Sequence, residues 1–264
     1  MKNFYLLVLC LTVNSVAGKV LVITHSFNRP DFIEIQHKTF KKFLKDDYEF
    51  VVFNDAERNK AICNEINNIC NKLGIRCIQI PQAVHDKPYL KRLSYEDNNH
   101  PCCRCANVVQ YSLDILGFDH DDIVAIIDSD MFLVKEFSIA EYLSGYDIAG
   151  QPQSRADVHY LWNGIMFFNM NTLPNKKTIN CNCGIINNQG CDVGGYLYYY
   201  FKENPSIKIK YVNHYYIESN NTEYFIDKTF FHYRGGGNWD HQSRAYHKQK
   251  TKFLHDFINN VLAQ

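Results

Sequence analysis

Between Val20 and Ile80 three apolar runs alternate with two amphipathic stretches, and no other feature of the chain restricts its fold as strongly. Val20-Leu21-Val22-Ile23 is apolar at every position, as in a strand buried on both faces, and it ends at Thr24, His25 and Ser26. Phe32, Ile35, Phe40, Phe43 and Leu44 follow at near-helical spacing, after a Pro30 suited to a helix start. A second strand is predicted at Tyr48 to Phe53, stopping at Asn54 and Asp55. The next stretch places Ile62, Ile66, Ile69, Cys70 and Leu73 on one helical face and closes at Gly74 as a C-cap. Ile75 to Ile80 supplies a third strand. A β-α-β-α-β order predicts a mostly parallel sheet with covering helices, joined by right-handed crossovers.

Further along, a helix from Cys103 to Leu116 leads through Gly117 into Ile123 to Ile127, the most hydrophobic strand. Shorter strands are predicted at Tyr146 to Ala149 and Ile165 to Asn169. Pro81 to Pro101 and Asn175 to Gly190 read as irregular loops. With no repeat and no dividing linker, residues 19–264 are expected to form a single domain, and 264 residues at 46% apolar content suffice for one sizeable core.

The first eighteen residues stand apart. Lys2, the apolar run Phe4 to Val13 and the small residues Ser15-Val16-Ala17-Gly18 match a secretory signal peptide. A short uncleaved membrane anchor is the alternative, and a chain whose first segment is not a signal would be cytoplasmic. Ten cysteines include two clusters, Cys102/Cys103/Cys105 and Cys181/Cys183/Cys191, which suit disulfides in an oxidising lumen; structural zinc is the rival, without paired C-x-x-C spacing. Asn220-Asn221-Thr222 fits the glycosylation acceptor pattern. Lys plus Arg balances Asp plus Glu at 28 each, which argues against a nucleic-acid partner bound by counterion release.

The chemistry concentrates at Ile123-Val124-Ala125-Ile126-Ile127-Asp128-Ser129-Asp130. An apolar strand delivers two carboxylates to its carboxyl end, where open α/β sheets bind ligands. Such oxygens are hard ligands for Mn²⁺ or Mg²⁺, cations that also bridge diphosphate oxygens. A solvated acidic turn is the bland alternative. Near the C-terminus, Phe230-Phe231-His232-Tyr233-Arg234-Gly235-Gly236-Gly237-Asn238-Trp239 sets an imidazole before a glycine-rich loop. His232 suits a third metal ligand, and the glycines permit close backbone approach to phosphate; a core histidine beside a surface loop is the alternative.

Together, Asp128-Ser129-Asp130 and His232-Tyr233-x-Gly235-x-x-Asn238-Trp239 resemble the nucleotide-sugar glycosyltransferases of GT-A fold, with the pattern of glycosyltransferase family 8, the glycogenin and bacterial galactosyltransferase group. The resemblance spans Val20 to Trp239. It implies a Rossmann-like, mostly parallel sheet flanked by helices, a UDP-sugar donor, a glycan, protein or lipid acceptor, and Mn²⁺ (or Mg²⁺) held by Asp128, Asp130 and His232. It further implies donor contacts from Thr24, Ser26 and Arg29 after the first strand, Asn54 and Asp55 after the second, Arg104 and Asn107 on the helix before the metal strand, and Ser129 between the acids. Asn163 and Gly164 would line the sugar pocket, although Asn-Gly is also a common turn. The family's Lys before Pro-Trp is absent, leaving Arg234 as its substitute beside Gly235 and Gly237. Asp192 would be the catalytic or sugar-orienting carboxylate, with a helix N-cap as the structural alternative.

Three other readings compete. Haloacid-dehalogenase phosphatases carry D-x-D on their first strand, whereas here three strands precede it. Nucleotidylyltransferases need a glycine-rich Arg loop after the first strand, which is missing. A secreted sugar-binding protein on the same scaffold, without turnover, would not need both acids and His232.

Overall fold

The computed structural model describes residues 19–86, 100–238 and 241–264, so the leader Met1–Gly18 and Trp239 lie outside the described residues. The predicted alternation is present as β1 (Val20–Ser26), α1 (Pro30–Phe43), β2 (Tyr48–Asn54), α2 (Lys60–Leu73), β3 (Arg76–Gln79), a short α3 (Ala83–Asp86) and α4 (Pro101–Ser112). There follow β4 (Ile123–Ile127), β5 (Met131–Leu133), α5 (Ile139–Leu143), β6 (Ile148–Arg155), β7 (Val158–Asn169), β8 (Gly184–Ile186) and β9 (Gln189–Cys191). The chain ends with α6 (Leu197–Glu203), β10 (Ile209–Tyr211), β11 (His214–Ile217), β12 (Thr222–Phe225), β13 (Phe230–His232) and α7 (Arg244–Ala263).

Seven strands form the main sheet in the order β10-β6-β7-β4-β1-β2-β3. All neighbours are parallel except β7, which runs antiparallel to both β4 and β6. Helices and loops cover both faces, which is why β1 and β4 are apolar at nearly every position: side chains of both parities are buried, Val20 and Val22 in one core and Leu21 and Ile23 in the other. The Gly74 C-cap is left-handed at φ 67°, as predicted. Because β1 lies between β2 and β4, the chain reverses its direction of winding there. The carboxyl ends of β1 and β4 therefore flank the switch point where open α/β sheets form a crevice.

A second, antiparallel sheet, β11-β12-β13-β5, carries the glycine-loop histidine. Its strands β11 and β12, and the long helix α7, were not foreseen from sequence. Three local readings change. Residues 175–190 contain the β8–β9 hairpin, whose turn residues Asn187 and Asn188 take φ 49° and 62°; asparagine tolerates this left-handed region better than most residues. Asn163-Gly164 is no turn but lies within β7, where pairing jumps from Gly150↔Met166 to Gln151↔Trp162. Asp192 is not a helix cap, since the N-cap of α6 is Tyr196. Among the described residues no helix is long and apolar enough to cross a membrane.

Candidate functional site

Asp128-Ser129-Asp130 is the hinge between the two sheets: β4 ends at Ile127 and β5 begins at Met131. On the second sheet, β13 pairs with β5 so that His232 stands opposite Met131. That register sets the imidazole beside Asp130, with His232 Nε2 3.1 Å from Asp130 Oδ1. One donor atom from each of Asp128, Asp130 and His232 lies within 4.8 Å of the others. The three residues singled out in sequence therefore meet in space, two from the hinge between the sheets and one from β13.

The glycine loop closes over the same carboxylate. Gly236 N donates to Asp130 Oδ2 at 2.8 Å, and Tyr233 N donates to the Asp130 carbonyl at 2.8 Å. An added Cβ on Gly236 would stand 2.7 Å from Phe32 and 2.8 Å from Asp130, so only glycine lets the loop approach this closely. Gly235, at φ 77°, takes the left-handed turn into it. Gly237 accepts from Asn28 Nδ2 at 3.1 Å.

Electrostatics separate the two acids. Burial and the adjacent Asp130 charge raise the Asp128 carboxyl to about 7. Burial would raise Asp130 too, but His232 and the Gly236 amide more than offset it and hold that carboxyl below its ordinary value. Burial opposes charge on His232, yet Asp130 and Glu223 together raise it to about 10.

Four residues that sequence reasoning missed organise this centre. Glu223 on β12 accepts from His232 Nδ1 at 3.1 Å, leaving Nε2 to face Asp130. Gln36 on α1, fully buried, donates to the Asp128 and Met131 carbonyls at 2.9 and 3.0 Å and so fixes the D-S-D turn. Lys250 on α7 is buried and donates to the carbonyls of Arg234 and Asn221. The stripe Lys250, Leu254, Ile258 at i, i+4, i+8 was the available signal for it. Trp162 lies across Gly164, where a Cβ would meet its ring at 1.9 Å, and its ring centroid is 5.5 Å from that of His232.

The remaining predicted residues fall into distinct situations. Thr24 Oγ1 and Ser26 Oγ, at the end of β1, are buried without a hydrogen-bond partner among the described residues. Asn54 is committed internally, donating to the Cys63 carbonyl and Asn67 and accepting from Ala56 N. Asp55 is held by Arg104 at 2.7 Å and by His85 at 2.7 Å, with Asn107 Nδ2 3.5 Å from His85. Arg29 clamps Asp31 through two hydrogen bonds and stacks 3.7 Å from the Phe32 ring centroid. Arg234 donates to Asn221 Oδ1 at 2.8 Å and lies 3.8 Å from Glu223. Ser129 N donates to Asp128 Oδ1, and Asn163 Nδ2 meets Cys105 Sγ at 3.2 Å. Asp192 is exposed and caps its own turn at Val193 N, but its charge reaches far enough to raise Asp128. An open cavity of about 430 Å³ lies beside the loop, lined by Asn28, Arg29, Gly236 and Lys248 among others; none of the three donor residues lines it.

The nine described cysteines carry no disulfide, and the only cluster of three metal-binding side chains among the described residues is Asp128, Asp130 and His232.

No family model and no curated protein matches the sequence. Solved structures similar to the chain include core-mannan synthase A from Aspergillus fumigatus in its Mn/GDP form, with 7% identity, TM-score 0.40, and 60% of this chain against 61% of that one. Glucosyl-3-phosphoglycerate synthase from Mycobacterium tuberculosis with Mn²⁺, UDP and glucosyl-3-phosphoglycerate gives 15% identity and TM-score 0.36, over 59% of this chain and 58% of that one. The galactosyltransferase LgtC with donor and acceptor sugar analogs gives 11% identity and TM-score 0.36, over 60% and 62%. The chain thus spans less than two thirds of the solved chains it matches.

Proposed function

We propose that the chain is a metal-dependent glycosyltransferase that moves a hexose from a UDP-sugar to an acceptor hydroxyl. The observation that carries this reading is the meeting of Asp128, Asp130 and His232 donor atoms within 4.8 Å at the switch point of the main sheet. Two carboxylates and an imidazole suit Mn²⁺ or Mg²⁺, and these three side chains would hold it. Such an ion, when bound, offsets the negative charge that gathers on a departing nucleoside diphosphate. Glu223 fixes the His232 ring so that Nε2 points to the cluster, and Gln36 fixes the turn that presents both acids. Gly236 N holds Asp130 Oδ2, and the glycines around it let the loop backbone approach a phosphate closely. The hydroxyls of Thr24 and Ser26, buried and without a partner among the described residues, would be satisfied by the polar edges of a donor reaching the end of β1. Asn163, on β7, is available to a sugar hydroxyl, and Asp192 is the carboxylate nearest in role to a base for the acceptor. Export through a cleaved leader belongs to the same reading and rests on the sequence of residues 1–18.

The test is donor turnover across a panel of UDP- and GDP-sugars, with and without Mn²⁺, for the wild type and Asp130→Ala. Mn²⁺-dependent release of UDP that the substitution lowers at least about 100-fold supports the reading. Turnover indifferent to metal and to Asp130→Ala sinks it. Sugar binding with no turnover of any donor assigns the chain to the non-catalytic alternative.

A further inference from the structure

The two cysteine clusters meet, away from the metal-binding cluster, where the first turn of α4 packs against the segment 181–183 that leads into the β8–β9 hairpin. Cys103 Sγ lies 3.7 Å from Cys183 Sγ. Both are wholly buried, walled by Ala106 and Val193. Cys102, the preceding residue on α4, is only partly buried, and its neighbour Cys183 together with burial pushes its thiol up. Cys183 is thus shared by one enclosed thiol and one that solvent reaches.

What this segment holds gives the contact a consequence. Cys181 N donates to Gln110 on α4 at 3.0 Å. Gly194 N donates to the Cys181 carbonyl at 2.9 Å, and Tyr196 N to the Asn182 carbonyl at 3.1 Å. Gly194 also presses on β7 so closely that a Cβ would stand 2.0 Å from the Leu161 carbonyl oxygen. Residues 181–183 are therefore the seat of the turn that carries Asp192.

We propose that Cys103 and Cys183 form a disulfide that staples this turn to α4, and that Cys102 is the thiol through which a small-molecule disulfide such as oxidised glutathione enters. The Cys102 thiol loses its proton and attacks the oxidant, RSSR, making a mixed disulfide and releasing RS⁻, which takes up a proton to leave as RSH. Cys183 loses its proton and attacks Cys102 Sγ, expelling the second RSH. Cys103 then loses its proton and attacks Cys183 Sγ, and Cys102 leaves as a thiolate that regains a proton. Two protein thiols are oxidised, one RSSR is reduced to two RSH, and Cys102 is unchanged at the end. The order follows from access: a thiol enclosed on all sides does not meet an external oxidant, whereas a partly exposed neighbour does.

The experiment uses the full chain, placed in buffers of rising oxidised-to-reduced glutathione ratio, sampled both over time and at equilibrium, quenched in acid, alkylated after denaturation, and mapped by mass spectrometry without reduction. The expected product joins the Cys103 and Cys183 peptides. Because Cys102 and Cys103 share a peptide, the variants decide between them. Cys102→Ser should reach the same cross-link but about tenfold more slowly, and Cys103→Ser should lose it or stop at Cys102–Cys183. Circular dichroism establishes that each variant is folded. Quantitative alkylation of Cys183 in wild type at the oxidising end, or a cross-link from Cys183 that survives Cys103→Ser and disappears in Cys102→Ser, overturns the pairing. A Cys102→Ser variant that oxidises as fast as wild type overturns the entry role.

Discussion

His232 Nδ1 stands 3.1 Å from Glu223 Oε2, while its Nε2 stands 3.1 Å from Asp130 Oδ1, so one buried imidazole bridges a carboxylate on β12 and one in the hinge between β4 and β5. A ligating histidine is oriented by the partner of its other nitrogen, and removing that partner costs roughly 10–100-fold in metal affinity. Glu223→Gln keeps the size of the side chain but removes its charge. The expected result is Mn²⁺ affinity weakened about tenfold, measured by electron paramagnetic resonance titration of free Mn²⁺, with donor turnover recovered at saturating metal. Unchanged Mn²⁺ affinity in a folded Glu223→Gln protein removes Glu223 from this role.

Asp128 and Asp130 should behave differently when neutralised, although both are proposed ligands. Asp130 accepts from Gly236 N and from His232 Nε2, whereas among the described residues the Asp128 carboxylate accepts only from the adjacent Ser129 N. Asp128 also repels Asp130, which helps to raise its carboxyl to about 7. In metal-free protein, Asp130→Asn breaks a buried charged pair and should cost about 3 kcal/mol. Asp128→Asn relieves repulsion and should leave stability unchanged or up to about 1 kcal/mol higher. Both should abolish Mn²⁺ binding. Urea unfolding of the two variants in chelator checks the contrast, and equal destabilisation by both would contradict it.

The parts of this architecture that were legible in sequence are those written in short-range pattern. Continuous apolar runs announce β1, β2 and β4, Gly74 announces the end of α2, and the acids at the end of β4 announce the crevice. His232 was legible as a residue type beside glycines, but what places it is the pairing of β13 with β5, a register set across a hundred residues of chain. Glu223 gave no local sign, because a lone acid on a short strand reads as a solvated face until the strand opposite is known. Gln36 was hidden in the polar half of α1, and its value comes entirely from two carbonyls of a distant turn. Asn54 and Asp55 illustrate the converse. Their position after β2 suggested donor contacts, yet the side chain of Asn54 is spent on local hydrogen bonds and Asp55 on Arg104 and His85.

The glycine loop permits a paired test of close approach. A methyl group on Gly236 would meet Phe32 Cε2 at 2.7 Å, Asp130 Cβ at 2.8 Å and Asp130 Oδ2 at 2.9 Å, whereas on Gly237 it would find only Asn28 Oδ1, at 4.0 Å. Gly236→Ala should therefore cost about 1–3 kcal/mol, as overpacking does, and should weaken Mn²⁺ binding by displacing the amide from Asp130. Gly237→Ala should stay within about 0.5 kcal/mol of wild type. Chemical denaturation of the two variants side by side measures the difference, and a Gly236→Ala protein as stable as Gly237→Ala would mean that the loop does not close on Asp130 in solution.

His25 gives the fold an acid-sensitive element separate from the metal ligands. Its Nε2 lies 2.9 Å from Ser112 Oγ, whose own proton goes to the Val109 carbonyl at 2.8 Å, so the neutral ring donates to a hydroxyl oxygen on α4. Burial lowers its pKa from 6.5 to about 3. The unfolded chain then binds a proton that the folded chain refuses, and stability attributable to His25 is complete above about pH 6.5 and declines as pH falls toward 3. Because the ring keeps part of its surface exposed, the effect is discounted to about 2 kcal/mol by pH 4. His25→Gln retains an amide donor and does not titrate. Its stability, measured by urea unfolding from pH 7 to pH 4, should fall about 2 kcal/mol less than that of wild type over this interval. Parallel curves for the two proteins would show that His25 binds its proton as readily folded as unfolded, and that its partial burial against β1 and α4 does not hold the ring neutral.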